Sequence, residues 1–448
     1  MISKFLIKNI TIVNEGQCFI SDILFHDGLI QKIGHIEVQP DLYVIDGTGK
    51  YLFPGIIDGQ VHFREPGLTH KGDLYSESKA AIAGGVTSFI DMPNTVPNVL
   101  TAQALAEKCE LASQKSLANY SFFLGVNGDN IDEIIQTDTS KLIGVSDDGL
   151  YFTKKGNLLA DNPETMEKLF ANCKSIIAIH SEKEQTVEEN ETIYKERFGE
   201  NVPIEFHPLI RSEKACYEAT ERAIDLANKH NARLHILHLT TEAETHLFRN
   251  DVPLSEKRIT TEVSVHHLWF SDKDYHRLGN LIKWNPAIKT EKDRLGLLKA
   301  LLDDRIDIIT TDHAPHTLDE KQRPYFQSMS GAPMVQHSLN CMLEFYKQGL
   351  ISLEKIAEKM CHNPAVLYRI EKRGFIREGY FADLTLVDLS SSWTVAKENL
   401  IYKCAWSPLE GMIFQTKVIL TFVNGNLVYD NGNFDESVKG QALAILAE

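Results

Sequence analysis

Gln60, His62 and Arg64 occupy alternate positions in the stretch QVHFR, so on an extended strand their side chains share one face. His180 closes an apolar run, SIIAIH; His238 closes another, LHILHL; Asp312 follows IDIITT. A carboxylate after six largely apolar strand residues needs a partner or a role, because an unpaired buried charge is costly. Neutral imidazoles and a carboxylate brought to one place suit a borderline-soft divalent ion such as zinc. His235, three residues before His238, is expected to face away from it and to be structural.

Those side chains need elements that bring them together. Eight short runs rich in Val, Ile and Phe read as strands: 55–63, 84–93, 119–126, 141–149, 175–180, 233–239, 259–266 and 306–313. Helical periodicity fills several gaps between them, at 101–114, 212–230 and 293–304. Eight strand–helix units close a parallel (β/α)8 barrel, a TIM barrel, in which all strand C-termini face one mouth. His62, Asp148, His180, His238 and Asp312 all stand at strand ends and so are expected at that mouth.

The two ends of the chain have a different rhythm. Apolar alternation is interrupted at Asp27-Gly28, Asp46-Gly47 and Asn424-Gly425, dipeptides that accept the positive φ of a tight hairpin. Neither end has enough strands for a two-sided core. Residues 1–53 and 375–448 are therefore expected to form one small β-sandwich around a barrel spanning 54–374.

Composition narrows the function. The chain has 448 residues and a formal net charge of −16, and 43% of it is hydrophobic. That apolar content supports a sizeable core and excludes a disordered chain. The acidic balance disfavours nucleic acid and anionic membranes as partners. Seven scattered cysteines without a CxxC pair fit reduced thiols, and no apolar run is long enough to span a bilayer; the expectation is a cytoplasmic protein.

HFREPGLTHKGD (62–73), AGGVTSFIDMPNT (83–95) and TDHAPH (311–316), together with the strand-end histidines, resemble the dihydroorotases of the amidohydrolase superfamily. The resemblance continues through GYFADLTLVD (379–388) and WSPLEG (406–411). It implies a distorted metal-dependent barrel with a β-sandwich from both termini. It also implies the reversible cyclisation of N-carbamoyl-L-aspartate to L-dihydroorotate in pyrimidine synthesis. Asp312 matches the family's proton shuttle, which also touches the metal. Arg64, Asn94 and His316 match its carboxylate-binding residues, and Asn285 matches a further substrate contact, with a turn-forming role before Pro286 as the alternative. The family does not use His266-His267 as ligands, so those two are read as packing. A homodimer is the family expectation, and association with aspartate transcarbamoylase stays open.

Two departures bear on the metal. The family's His-x-His is Gln60-Val61-His62 here, and an amide oxygen is a poor zinc ligand. Many relatives bridge two metals with a carboxylated lysine; matching on Asp-Asp-Gly places Asp148 at that position, while Lys154 and Lys155 read as a solvated loop. The expected set is His62, Asp148, His180, His238 and Asp312, with one tight zinc and a second weak or absent. Two rival functions remain: a non-catalytic partner of aspartate transcarbamoylase, or another cyclic amidohydrolase such as an allantoinase or hydantoinase. The long segment 316–336 after Asp312 is either a cover over the substrate or a static connection.

Overall fold

The computed structural model describes residues 4–138, 142–147 and 163–446. Its centre is a barrel of eight parallel strand positions: Ile56–Val61, Val86–Asp91, Asn119–Phe122 continued as Leu124–Gly125, Val145–Ser146, Ile176–Ile179, Arg233–Ile236, Ile259–Ser264 and Ile308–Thr310. Each lies within one of the eight expected runs. The strands are buried on both faces, which is why they read as continuous Val, Ile and Phe rather than as alternation.

The barrel is distorted because it hydrogen-bonds as two arcs. The first three strands make one arc, and Leu124–Gly125 through Ile308–Thr310 make the other. The third strand serves both by bending at Phe123, whose N–H donates to Asp91 O at 3.1 Å while that of Leu124 donates to Gly144 O at 3.2 Å. Across the other seam, Val61 pairs with His313, and His62 N–H donates to His313 O at 2.8 Å. This seam sets the first strand's His62 beside the eighth strand's Asp312.

The helices begin where the sequence supplies caps. Ser212 accepts from Ala215 N–H and starts Glu213–His230, which ends at Asn231 in the left-handed region with φ 52°. Thr101 and Thr290 cap Ala102–Lys115 and Glu291–Leu302 in the same way. Tyr368 fills the barrel interior against Ile57, Phe123 and Ile308. A Cβ on Gly59 would stand 3.0 Å from its ring, so only glycine fits there without displacing Tyr368.

Both termini build one nine-stranded sheet. Its halves meet where Tyr51–Pro54 pairs antiparallel with Leu384–Asp388. Phe5, Phe25 and Phe422 pack ring to ring at its core, with centroids 5.0–5.4 Å apart. The turns at Asp27-Gly28 and Asn424-Gly425 are hairpins, with all four residues at positive φ.

The expectation at Asp46-Gly47 is corrected. Tyr43–Asp46 and Tyr51–Pro54 do not pair with each other; both run parallel to Lys4–Asn14, at Phe5–Lys8 and Thr11–Ile12. Asp46 folds back on Thr48, accepting from its N–H at 3.0 Å and its hydroxyl at 2.6 Å, and the chain steps along the first strand instead of reversing. Gly47 allows this by close approach, since a Cβ there would lie 2.7 Å from Ile10 Cβ.

Candidate active site

The strand C-termini gather His62, Arg64, Asn94, Asp147, His180, His238 and Asp312 at one end of the barrel. His62 Nδ1 lies 2.9 Å from Asn94 Oδ1, and its Nε2 lies 3.0 Å from Asp312 Oδ1. With Nδ1–H donating to Asn94, Nε2 turns a lone pair toward a carboxylate. A shared proton or a cation satisfies that pair. His180 and His238 face each other with ring centroids 4.9 Å apart. Burial, followed by the neighbouring His180 and His267, holds His238 well below the usual imidazole pKa, in the neutral form that binds metals.

Backbone strain marks the same residues. Arg64, His238 and Asp312 have φ of 67°, 34° and 44°. For side chains of this size the left-handed region costs of order 1–3 kcal/mol each and persists only where surrounding structure enforces it. Polar atoms are also left over: among the described residues, His238 Nδ1 and both amide atoms of Gln60 are buried without a hydrogen-bond partner. Orphaned donors and acceptors of this kind are costly in a folded protein. The donor types and the neutral imidazoles fit a divalent cation. Among the described residues, no three His, Cys, Asp or Glu groups yet close on one point. The expected bridging residue Asp148 lies outside the described residues, as do Lys154 and Lys155.

Asp147, the residue before the expected Asp148, holds His180. Its Oδ1 lies 2.7 Å from His180 Nδ1, and its two oxygens accept from His180 N–H at 3.1 and 3.2 Å. That commits Nδ1 and fixes the ring, leaving Nε2 as the nitrogen with which His180 would meet a metal. The signal was present in the Asp-Asp-Gly pair, which offers two carboxylates and has room for two roles.

Arg64 is almost wholly buried. Its Nε donates to Pro315 O at 3.1 Å, and Nη2 lies 3.0 Å from His316 Nε2. Ser330 joins the remaining candidate to this group: its O lies 2.9 Å from His316 Nε2, and its hydroxyl donates to Asn285 Oδ1 at 3.1 Å. The loop carrying Ser330 is held from below. Lys321 Nζ donates to the carbonyls of Lys283, Met329 and Gly331 at 2.8–3.0 Å, and Lys283 Nζ donates to those of Tyr325 and Ser328 at 2.6 and 2.7 Å. Segment 316–336 is therefore a clamped wall of the site, and two buried lysines are its clamp. Neither was visible in sequence, because their partners are carbonyls.

The histidines set aside in sequence have other partners. His235 Nε2 pairs with Glu262 Oε2 at 3.0 Å beneath the mouth. His266 stacks on Trp284 at 4.0 Å, and His267 Nε2 reaches Pro286 O at 3.2 Å. Asp58 ties the first strand to the eighth, accepting from Thr311 N–H and hydroxyl at 3.1 and 2.6 Å. Burial pushes the Asp58 carboxyl up to about 7.

This fold belongs to a known class. The model of the Amidohydrolase family matches residues 51–428, and the chain belongs to that family, whose members are generally metal-dependent. Within it, similar proteins include dihydroorotases. The chain is 30% identical over 441 residues to the dihydroorotase of Pyrococcus furiosus, covering 98% of this chain and 94% of that one. It is 32% identical over 418 residues to that of Methanosarcina acetivorans, covering 91% and 88%. Two solved structures share the fold: the L-hydantoinase (dihydropyrimidinase) of Arthrobacter aurescens, with TM-score 0.91 at 24% identity over 99% and 100% of the two chains, and the dihydropyrimidinase of Brevibacillus agri NCHU1002, with TM-score 0.88 at 23% identity over 99% of each. Among the described residues no helix is long and apolar enough to cross a membrane.

Proposed function

We propose that the chain is a zinc-dependent dihydroorotase, a cyclic amide hydrolase that interconverts N-carbamoyl-L-aspartate with L-dihydroorotate and water in pyrimidine synthesis. The observation that carries this reading is the buried Arg64 guanidinium, set with His316 beside the His62–Asp312 pair. Both substrate forms bear a carboxylate, and a planar guanidinium fork pairs with one bidentately. A hydantoinase working on uncharged rings has less use for that cation. A scaffold that only docks a transcarbamoylase has no use for a strained, buried Arg64 and Asp312.

In the hydrolytic direction the substrate carboxylate docks on Arg64, with His316 and Asn94 beside it. Asn94 Oδ1 is occupied by His62, so its NH2 group is the end offered to substrate. Asn285 and Ser330 wall the far side. Water adds to the ring carbonyl carbon, the bond to ring nitrogen breaks, and that nitrogen takes up a proton. Asp312 carries the proton from the attacking water to the nitrogen, and the reverse path closes the ring. His180 and His238, with Asp148, would form the tighter zinc site; His62, Asp148 and Asp312, lacking an imidazole at Gln60, would form a weaker one. When bound, zinc lowers the pKa of its water toward neutrality and polarises the amide carbonyl. The same reading makes the protein a cytoplasmic homodimer able to associate with aspartate transcarbamoylase, which sedimentation with and without that enzyme tests.

Dihydroorotate hydrolysis and zinc content measured on one purified sample test the proposal. Turnover with about one zinc per chain is expected, because three strong protein ligands complete a single catalytic site. Turnover with two zincs overturns the mononuclear part. Absence of both turnover and metal favours the scaffold.

A further inference from the structure

Lys71 lies in the same loop as Arg64, is buried, and touches the Arg64–His316 group without a part in the proposed reaction. Its Nζ lies 3.0 Å from His316 Nδ1 and 2.9 Å from Glu320 Oε1. Its own N–H donates to Leu68 O at 3.0 Å, and Leu68 N–H donates to Arg64 O at 3.0 Å, so one turn positions both cations. Glu320 is anchored in turn as the capping partner of Thr317. Lys71 thus bridges the loop after the first strand and the loop after the eighth.

A neutral imidazole has one N–H, and the partners at its two nitrogens decide where that proton sits. Lys71, ion-paired to Glu320, has only protons to offer, so Nδ1 must accept. The competing acceptor at Nδ1, Glu320 Oε2, stands 3.7 Å away, beyond hydrogen-bond reach. At the other nitrogen, Ser330 O lies 2.9 Å from Nε2 and can only accept. Arg64 Nη2, 3.0 Å from the same nitrogen, can only donate, so the partners at Nε2 are divided and Lys71 at Nδ1 decides for the Nε2–H form. Burial and the neighbouring Arg64 hold the ring well below the usual imidazole pKa, so it stays neutral.

One consequence is chemical. With Nε2 protonated, Arg64 Nη2 stands 3.0 Å from another donor. Two donors converging on one point cradle an acceptor oxygen, and a carboxylate oxygen entering there would accept from Arg64 and share the Nε2–H with Ser330 O in a three-centre bond. In the opposite tautomer Nε2 would accept from Arg64 and compete with substrate for that N–H. We propose that Lys71 is a positioning residue that fixes His316 as the Nε2–H tautomer, so that His316 and Arg64 together donate to the substrate carboxylate. This rests on the dihydroorotase reading for the identity of the carboxylate, but the tautomer itself does not.

The test uses the full-length zinc-loaded protein and its Lys71→Met and Lys71→Arg variants, with folding checked by thermal midpoint. Long-range 15N–1H imidazole spectra of 15N-histidine protein, with a His316→Gln sample assigning the resonance, read the tautomer directly. Wild type is expected as Nε2–H; K71M is expected to shift toward Nδ1–H, turning to Glu320; K71R, which keeps a donor, is expected to stay as wild type. In parallel, K71M is expected to raise KM for L-dihydroorotate about tenfold, the size of one hydrogen bond to a charged group, with kcat changing much less. A wild-type ring protonated at Nδ1, a K71M spectrum unchanged from wild type, or a fall in kcat at constant KM overturns the proposal. If K71M does not fold, the wild-type tautomer and K71R decide it. Failure of wild type to turn over L-dihydroorotate overturns the substrate reading and leaves the tautomer result to judge Lys71 alone.

Discussion

At the lower end of the barrel, Lys257 Nζ donates to Asp307 Oδ1 at 2.7 Å and to Asp304 O at 2.6 Å, while Lys359 Nζ donates to Asp304 Oδ1 and Ile306 O, both at 2.8 Å. Asp307 Oδ2 accepts from Thr261 N–H at 2.9 Å. Lys257, Asp304, Asp307 and Lys359 line a cavity of about 430 Å3, yet each of them has an oppositely charged or carbonyl partner. At the upper end, the same strands finish in Arg64, His238 and Asp312 at positive φ, with His238 Nδ1 and the Gln60 amide orphaned. One end is polar and satisfied; the other is polar, strained and incomplete. Charge in a cavity therefore does not by itself mark a site. Charge held against its own backbone preference, with hydrogen-bonding atoms left open, does.

The comparison breaks most visibly at Asp312. Asp312→Asn is expected to cut dihydroorotate turnover by about 10²–10⁴-fold, the usual worth of a positioned proton carrier, with the thermal midpoint unchanged or raised. Equal loss of midpoint and turnover would mean that Asp312 is structural. Lys257→Met strands the buried Asp307 carboxylate, whose side chain is 3% exposed. It should lower unfolding stability by roughly 3–5 kcal/mol in urea titration while leaving kcat/KM intact; lost activity in folded protein would tie the lower end to catalysis. Arg64→Lys keeps the charge and loses the planar fork. A fall in kcat/KM for L-dihydroorotate of roughly ten- to a hundredfold is expected, and an unchanged value would remove Arg64 from carboxylate recognition.

A further effect is a pH slope spread over the whole molecule. Burial holds His207, His266 and His316 well below their usual pKa, and takes His267 and His337 down to about 3. The unfolded chain protonates these rings near 6.5 and the folded chain does not, so they subtract stability as pH falls below about 6.5. Burial also pushes Asp58 and Glu244 up to about 7. Their contribution has the opposite sign, present below about 4 and lost as pH rises through 7. Five rings outweigh two carboxyls, so the thermal midpoint should fall from pH 6.5 toward 4. A midpoint that rises over that interval contradicts the assignment of neutral buried rings.

Much of the barrel was legible because its signal is local. Eight buried strands read as eight apolar runs, and Ser212, Thr101 and Thr290 announce helix starts beside them. The two-residue spacing of His62 and Arg64 fixed which side chains share a face, but not that Arg64 would be turned by positive φ onto Pro315 and His316. What stayed hidden depends on distant partners. Lys321 and Lys283 look like surface charges until their carbonyl partners in the loop are known. Asp147 and Asp148 are interchangeable by composition, and the contact of Asp147 with His180 is visible only in the fold. The parallel placement of Tyr43–Asp46 was hidden for the same reason: Asp46-Gly47 has hairpin chemistry, and the contact of Gly47 with Ile10 lies across strands.

The most direct measurement is the ratio of kcat/KM for L-dihydroorotate to that for 5,6-dihydrouracil, the same ring without the carboxylate, on one zinc-loaded preparation. A preference of at least about a hundredfold for L-dihydroorotate is expected, because the hydrogen bonds of its carboxylate to Arg64 and His316 are lost when the carboxylate is missing. Equal rates, or a preference for the uncharged ring, would contradict the assignment of the barrel mouth as a carboxylate-reading dihydroorotase site.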